Sequence, residues 1–168
     1  MTTFAQAFEA VIGHEGGFTA DPKDPGNWTS GKRYAGKLKG TKYGISAAAY
    51  PSEDIANMTI ERARAIYLRD YWGPAGCDAV PPEVKFHLFD LAVNSGTRKA
   101  VEMLQAAVRE TADGILGPKT LQGVQSTPPL RIVARLSGYR LEYMANAAVW
   151  PTFGRGWALR VARNLKAV

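Results

Sequence analysis

The chain has 168 residues, with 21 Lys and Arg against 15 Asp and Glu, and 46% hydrophobic residues, a composition that fits one globular domain and excludes disordered, collagen-like and coiled-coil chains. The single cysteine, Cys77, cannot form an internal disulfide, and with only His14 and His87 beside it there is no metal-spaced cluster, so neither metal nor cofactor is expected. No run approaches the roughly 18 apolar residues of a membrane span, and the first residues lack the basic start and apolar stretch of a signal peptide, so synthesis in the cytoplasm is expected.

Thr3 to Glu15 reads as the first helix, with Thr3 and Gln6 spaced as a capping box, Phe4, Phe8, Val11 and Ile12 on one stripe, and Gly16-Gly17 as its stop. From Phe18 to Ser46 the helical period gives way to Gly, Pro, Asp, Asn and Thr, which predicts turns and short strands. Within it Gly31 to Lys42 carries five basic residues and no acidic one, the pattern of an exposed hairpin or flap. A short turn near Ser46 to Tyr50 follows. Helices are predicted from Thr59 to about Tyr71, from Pro82 to about Asn94, and from Thr97, as cap, to Arg109. The helix from Pro82 is apolar nearly all round and is expected to be central and buried. Asp113-Gly114 marks a turn, Pro118 opens a short helix, Pro128-Pro129 precede a long one to about Val149, and a basic helix closes the chain from about Arg155 to Lys166. The fold class is therefore α+β, mostly α, with a small β lobe near residues 18–46.

Charge is uneven. Pro128 to Val168 holds seven basic residues, Arg131, Arg135, Arg140, Arg155, Arg160, Arg163 and Lys166, against Glu142 alone. A basic end suits a polyanion, an anionic membrane face or an acidic wall, or else is a solvated helix face. A nucleic-acid role would need a recognisable reader motif, and the chain has none, so no specific nucleic acid is expected as partner.

Glu15 lies eleven residues after Phe4, which at about 100° per residue returns it to the apolar stripe. Desolvation and the negative end of the helix dipole both disfavour its charged form, the preparation of a general acid. The other reading is a surface carboxylate at a frayed helix end. Asp24 is a candidate second carboxylate, or a turn residue that bonds its own backbone before Pro25-Gly26. His14 and His87 have no nucleophile setting beside them and read as structural.

Glu15-Gly16-Gly17-Phe18, Asp24-Pro25-Gly26 and Thr41-Lys42-Tyr43-Gly44-Ile45-Ser46 resemble the signature of the family-108 glycoside hydrolases, bacterial and phage N-acetylmuramidases. The resemblance continues in order through Ala63, Ile66-Tyr67 and Tyr71-Trp72, through Phe89-Asp90 and Ala92-Val93-Asn94-Ser95-Gly96, and through Leu104-Gln105, Asp113-Gly114, Leu116-Gly117-Pro118 and Thr120 to Phe153, Gly156-Trp157 and Arg160-Val161. It covers nearly the whole chain. From Asp90 onward it is similar to the part described as a predicted peptidoglycan domain, so residues 1–89 are expected to form the catalytic lobe and 90–168 a helical part of one lysozyme-like domain.

The resemblance implies a lysozyme-like fold, cleavage of the β-1,4 bond between N-acetylmuramic acid and N-acetylglucosamine, and Glu15 as the acid with Asp24 as partner. The segment from Thr29 to Thr41 is longer than in many relatives, and Gly26-Asn27 stands where a second Gly is usual. Either Thr29 or Thr41 can therefore hold the threonine position expected near the acid. Tyr43, Tyr71, Trp72 and Asn94 are candidates for holding the glycan, since aromatic faces pack on sugar rings and an amide bonds an N-acetyl group. Tyr71 and Trp72 have a second reading as core residues, and Asn94 as a helix terminator. The expected partner is peptidoglycan, with the basic end resting on an anionic wall or outer-membrane surface, and the expected state is a monomer. The expected setting is that of a phage or prophage endolysin reaching the periplasm through a holin-type or other assisted release. The alternatives are a secretion-associated muramidase and a non-catalytic wall-binding module.

Overall fold

The computed structural model describes residues 3–12 and 17–166 and divides the chain into two compact units, Phe8–Tyr67 and Met1–Ala7 with Leu68–Val168. Residues 89 and 90, between which the sequence places a boundary, both lie in the helix Pro82–Ser95. The α+β, mostly α, lysozyme-like class expected from the sequence is the one observed: seven α-helices and one two-stranded antiparallel sheet among the described residues.

Helix α1 spans Phe4–Ile12. Its capping box is made: the Gln6 amide donates to Thr3 Oγ1 at 3.3 Å and the Thr3 amide to Gln6 Oε1 at 3.2 Å, pairing two donors at the helix start. Residues 13–16, which hold the expected end of this helix, its Gly16 stop and both His14 and Glu15, lie outside the described residues.

In the unit Phe8–Tyr67 the core is Phe8, Ile45, Ala47, Ile55, Met58, Ala63, Ile66 and Tyr67. Phe8 is fully buried and stands edge-on to Tyr67 with ring centroids 5.5 Å apart; each such large apolar side chain contributes about 1.5–3 kcal/mol when removed from water. Strands β1 (Thr41–Lys42) and β2 (Ile45–Ser46) pair Thr41 with Ser46 and Lys42 with Ile45. The two residues between them, Tyr43 at φ 51° and Gly44 at φ 74°, are both left-handed, the tight hairpin turn whose twist matches paired strands. Tyr67 donates its hydroxyl to the Tyr43 carbonyl at 3.0 Å, and a Cβ on Gly44 would stand 2.6 Å from that hydroxyl, so only glycine fits there. Helix α2 (Ile60–Tyr67) is capped by Thr59, whose Oγ1 accepts the Arg62 amide at 3.2 Å.

In the other unit the chain continues as a widened helical turn, Leu68–Trp72, closed by Gly73 N–H to Leu68 O at 3.0 Å. Helices α3 (Pro82–Ser95), α4 (Thr97–Ala107), α5 (Pro118–Ser126), α6 (Pro129–Ala145) and α7 (Trp150–Lys166) follow. As its all-round apolar pattern predicts, α3 is the central helix, packed by α4 and α6 and by the turns on either side of Gly73. Its Val84, Leu88, Phe89 and Leu91 have no exposure. The α4 cap is Gly96 and not Thr97: Gly96 sits at φ 88° and contributes no side chain, and Thr97 is the first helical residue. Helix α4 stops before Arg109 because Arg109 takes a left-handed φ of 65°. The turn at Asp113-Gly114 is held by the buried Gln105, which donates to Asp113 Oδ1 (2.7 Å), Ile115 O (2.9 Å) and Thr120 Oγ1 (3.1 Å) and accepts the Gly114 amide at 2.8 Å.

Helix α6 ends before the expected Val149, and α7 begins at Trp150, ahead of the expected Arg155. Pro151 sits within the first turn of α7, where its missing N–H costs nothing, so proline there opens the helix and does not break it. The basic end is also less exposed than its composition suggests. Arg140 and Arg160 turn inward onto Asp90 and Arg135 donates to Ala107 O at 2.9 Å, leaving Arg131, Arg155, Arg163 and Lys166 as its outward cations. Among the described residues no helix is long and apolar enough to cross a membrane.

Candidate active site

The turn that carries Asp24 is braced at several points. Asp21 Oδ1 accepts the Lys23 amide at 2.9 Å, the Asp24 amide donates to Asp21 O at 3.1 Å, and Asp24 Oδ1 accepts the Gly26 amide at 2.8 Å, capping a single 3-10 turn over Pro25–Asn27. Asp24 thus has the turn-forming role of its second reading. Its side chain is nevertheless exposed, and an acceptor held this way on a rigid turn keeps its second oxygen for other work.

Asn27 is the hub of this region, and composition reasoning passed over it. It is fully buried. Its Nδ2 donates to Asp21 O at 3.0 Å, its Oδ1 accepts the Thr41 hydroxyl at 2.7 Å, and its carbonyl accepts the Lys39 and Gly40 amides at 3.0 Å each. One side chain therefore ties the Asp24 turn to β1. The signal was present in the sequence as the asparagine standing where many relatives have a second glycine.

The two threonines are placed differently. Thr29 Oγ1 accepts the Lys37 amide at 3.0 Å and Thr29 N donates to Lys37 O at 3.0 Å, so this residue serves the base of the 31–42 flap. Thr41 is bound on both sides to Thr19, through Thr19 N to Thr41 O at 2.9 Å and Thr41 N to Thr19 O at 2.8 Å. Gly40 permits this approach: at φ 84°, a Cβ there would lie 2.4 Å from Thr19 O and 2.5 Å from the Phe18 ring. Having given its proton to Asn27, the Thr41 hydroxyl retains acceptor capacity, the property needed to orient a water.

Tyr43 is half-buried at the hairpin turn, with Lys42 Nζ 5.5 Å from its ring centroid. These residues, Asp24, Thr29, Thr41 and Tyr43, belong to one unit. Tyr71, Trp72 and Asn94 belong to the other. Trp72 is 1% exposed and packed edge-on by Phe4 and Phe89, each with its ring centroid 5.4 Å away; it takes the core reading, because no face of the indole remains for a sugar. Tyr71 is half-buried in the widened turn, and Asn94 is exposed on the last turn of α3, its Oδ1 accepting the Ser95 hydroxyl at 3.3 Å.

Two other groups with chemical potential are spoken for. Burial pushes the Cys77 thiol up to about 12, leaving no thiolate at neutral pH. Burial, assisted by Arg140 and opposed by Asp90, lowers His87 to about 4, which makes it a neutral core residue as its sequence setting implied. Among the described residues no three His, Cys, Asp or Glu side chains are grouped to hold a metal.

Asp90 is the buried carboxylate whose partners the sequence did not show. Arg140 Nη1 reaches its Oδ2 at 2.6 Å, Arg160 Nε its Oδ1 at 2.9 Å, and Asn164 Nδ2 its Oδ2 at 2.7 Å. Burial, the largest influence, raises its pKa, but the Arg160 hydrogen bonds and the charges of both arginines together outweigh it and hold the carboxyl below its ordinary value. This cluster joins α3, α6 and α7 and is structural.

The profile of the family described as glycosyl hydrolase 108 matches residues 8–96, a span that contains Glu15, Asp24, Thr29, Thr41, Tyr43, Tyr71, Trp72 and Asn94. Among solved structures, SagA of Brucella abortus is similar to the chain with a TM-score of 0.80 and 34% identity, over 96% of this chain and 90% of that one. No curated protein matches.

Proposed function

The chain belongs to the glycosyl hydrolase 108 family, and from that premise we propose that it is an N-acetylmuramidase acting on peptidoglycan, with Glu15 as general acid and Asp24 as its ionised partner. The observation that carries the reading is the family match over residues 8–96, supported by the braced assembly of Asp24, Asn27 and Thr41. In such hydrolysis one carboxylic acid protonates the leaving glycosidic oxygen while a second carboxylate serves as base or nucleophile. Thr41 orients the reacting water through its free acceptor and Tyr43, in the same unit, holds the glycan; Tyr71 and Asn94 are candidate glycan contacts of the other unit. Digestion of purified peptidoglycan, with the new ends identified by mass spectrometry, is the test: reducing N-acetylmuramic acid is expected. Reducing N-acetylglucosamine, or release of peptides alone, would overturn the bond assignment.

The threonine assignment has its own outcome. Thr41→Ala should lower kcat by about tenfold or more, in the range of a lost positioned hydrogen bond, whereas Thr29→Ala should lose stability without a comparable fall in kcat. Equal losses of kcat would remove Thr41 from the mechanism.

The setting we propose is that of a phage-type endolysin delivered by a holin-type pore; expression with and without such a pore should give culture lysis only with it. The outward cations of α7 hold the enzyme against an anionic wall. Reversing Arg155, Arg163 and Lys166 to Glu should then lower clearing of intact wall at low salt, with the deficit shrinking above about 0.5 M salt as screening shortens the field. A deficit that salt does not alter would point to misfolding.

A further inference from the structure

The segment between Thr29 and Gly40 is a built object, not a slack insertion. Its stem is a bridge between Trp28 and Leu38 together with the paired Thr29 and Lys37 bonds already given. Its tip is closed by the Ser30 hydroxyl donating to Ala35 O at 2.8 Å, by the Lys32 amide donating to Ser30 Oγ at 3.2 Å, and by the Ala35 amide donating to Lys32 O at 3.2 Å. Tyr34 holds a left-handed φ of 59°, an unfavourable setting for an aromatic residue. Its ring packs edge-on against Trp28 at 5.7 Å while 71% of the residue stays exposed.

The five cations of the flap divide into two sets. Lys39 Nζ donates to Pro51 O at 2.7 Å and Glu53 O at 3.2 Å, and Lys42 Nζ to Ala56 O at 3.0 Å, so these two fasten the flap to the chain beyond the hairpin. Lys32 and Arg33 on the tip and Lys37 on the stem are exposed, with no acidic residue between Gly31 and Lys42. The stem is also rooted on the turn that carries Asp24, for Trp28 Nε1 donates to Pro22 O at 2.9 Å and the Asn27 carbonyl accepts the Lys39 and Gly40 amides. Three cations are therefore carried at a fixed place relative to Asp24.

In a stem-bearing strand the lactyl carboxyl of each muramic acid is held as an amide to its stem, so the sugars offer these cations no negative charge, but the peptide stems end in free carboxylates. We propose that Lys32, Arg33 and Lys37 recognise stem-peptide carboxylates flanking the scissile bond, so that the enzyme prefers stem-bearing over bare glycan strands. This assignment rests on the muramidase reading above. An anionic lipid surface has the same charge, yet the rooting on the Asp24 turn favours a group carried by the substrate.

The test compares soluble glycan oligomers of equal length with stems, with stems whose carboxylates are amidated, and with stems removed by an amidase and the lactyl carboxylates so freed then amidated. Exposed cation–carboxylate pairs are individually weak, so wild type should show a KM roughly three- to tenfold lower on charged stems than on either neutral substrate. Changing Lys32, Arg33 and Lys37 together to Gln should erase that preference through KM, leaving kcat and the KM for stem-free oligomers as in wild type. Changing the exposed Arg109, Lys119 and Arg131 to Gln removes the same charge from the other unit and should leave the preference in place. The proposal is overturned if the flap variant keeps the preference, loses equally on all three substrates, or loses only binding to phosphatidylglycerol vesicles. It is equally overturned if the control variant loses the preference to the same degree. If wild type cleaves none of the oligomers, the muramidase reading falls and takes this assignment with it, whereas cleavage of all three at equal KM removes only the flap's role.

Discussion

Glu15→Gln protein is expected to fold like wild type and to lose peptidoglycan hydrolysis by about 10²- to 10⁴-fold, the usual cost of removing a positioned general acid. The substitution keeps the shape of the side chain and its hydrogen-bonding atoms but removes the transferable proton, so binding of the glycan should survive and kcat should carry the loss. The motive lies in the sequence: eleven residues after Phe4, Glu15 is expected on the apolar stripe of Phe4, Phe8, Val11 and Ile12, and it lies inside the span matched by the glycosyl hydrolase 108 family. In ΔG‡ the expected loss is roughly 3–5.5 kcal/mol, far above what a surface carboxylate returns. Asp24→Asn should also slow turnover, and by less if the carboxylate stabilises charge without forming a bond. The alkaline limb of the pH–rate profile belongs to the acid and should be displaced in any Glu15 variant that retains measurable rate. Purified, folded Glu15→Gln enzyme that clears peptidoglycan at more than about a tenth of the wild-type rate would sink the assignment.

How far the residues alone carried the reading depends on whether the deciding contact was local. The Thr3–Gln6 box, the Thr59 cap and the buried α3 were legible because each is set by spacing within one helix. The Tyr43-Gly44 hairpin was not, because its first left-handed position holds a tyrosine where Asn or Gly is the usual sign, and the Tyr67 hydroxyl that pins it comes from α2. Thr29 and Thr41 were indistinguishable as letters, since both follow turn-rich stretches. Their difference lies in partners, Lys37 for one and Thr19 with Asn27 for the other. Arg140 and Arg160 read as surface charge for the same reason: their acceptor is fifty and seventy residues away in the chain. A lone Asp inside the apolar run of α3 was the available hint, because a carboxylate is rarely buried without a cationic partner.

That carboxylate supports the second large effect. Asp90→Ala should lower stability by about 3–5 kcal/mol, as breaking a buried ion pair from one side does, which for a chain of this size is a fall in Tm of roughly 6–20 °C. The loss is large because Arg140 is 4% exposed and its Nε and Nη2 already find no acceptor among the described residues; removal of Asp90 strands the whole guanidinium. Asp90→Asn keeps one acceptor and should fall between the two. The pH dependence separates this cluster from its neighbour on α3. Asp90 is held below its ordinary value, so its contribution is complete above the unfolded carboxylate pKa near 3.9 and is lost only as pH falls through the lower folded value. His87, held near 4 against an ordinary 6.5, has the opposite charge type: the unfolded chain takes up its proton first, so native stability declines as pH falls from about 6.5 towards 4, by up to about 3 kcal/mol. Melting curves of wild type should therefore shift downward between pH 7 and 4.5 while those of His87→Gln stay flatter, and Asp90→Ala should begin already low at pH 7. An Asp90→Ala protein melting within about 2 °C of wild type at pH 7 would mean that Arg140 and Arg160 are satisfied without it, and that α3, α6 and α7 are joined by apolar packing alone.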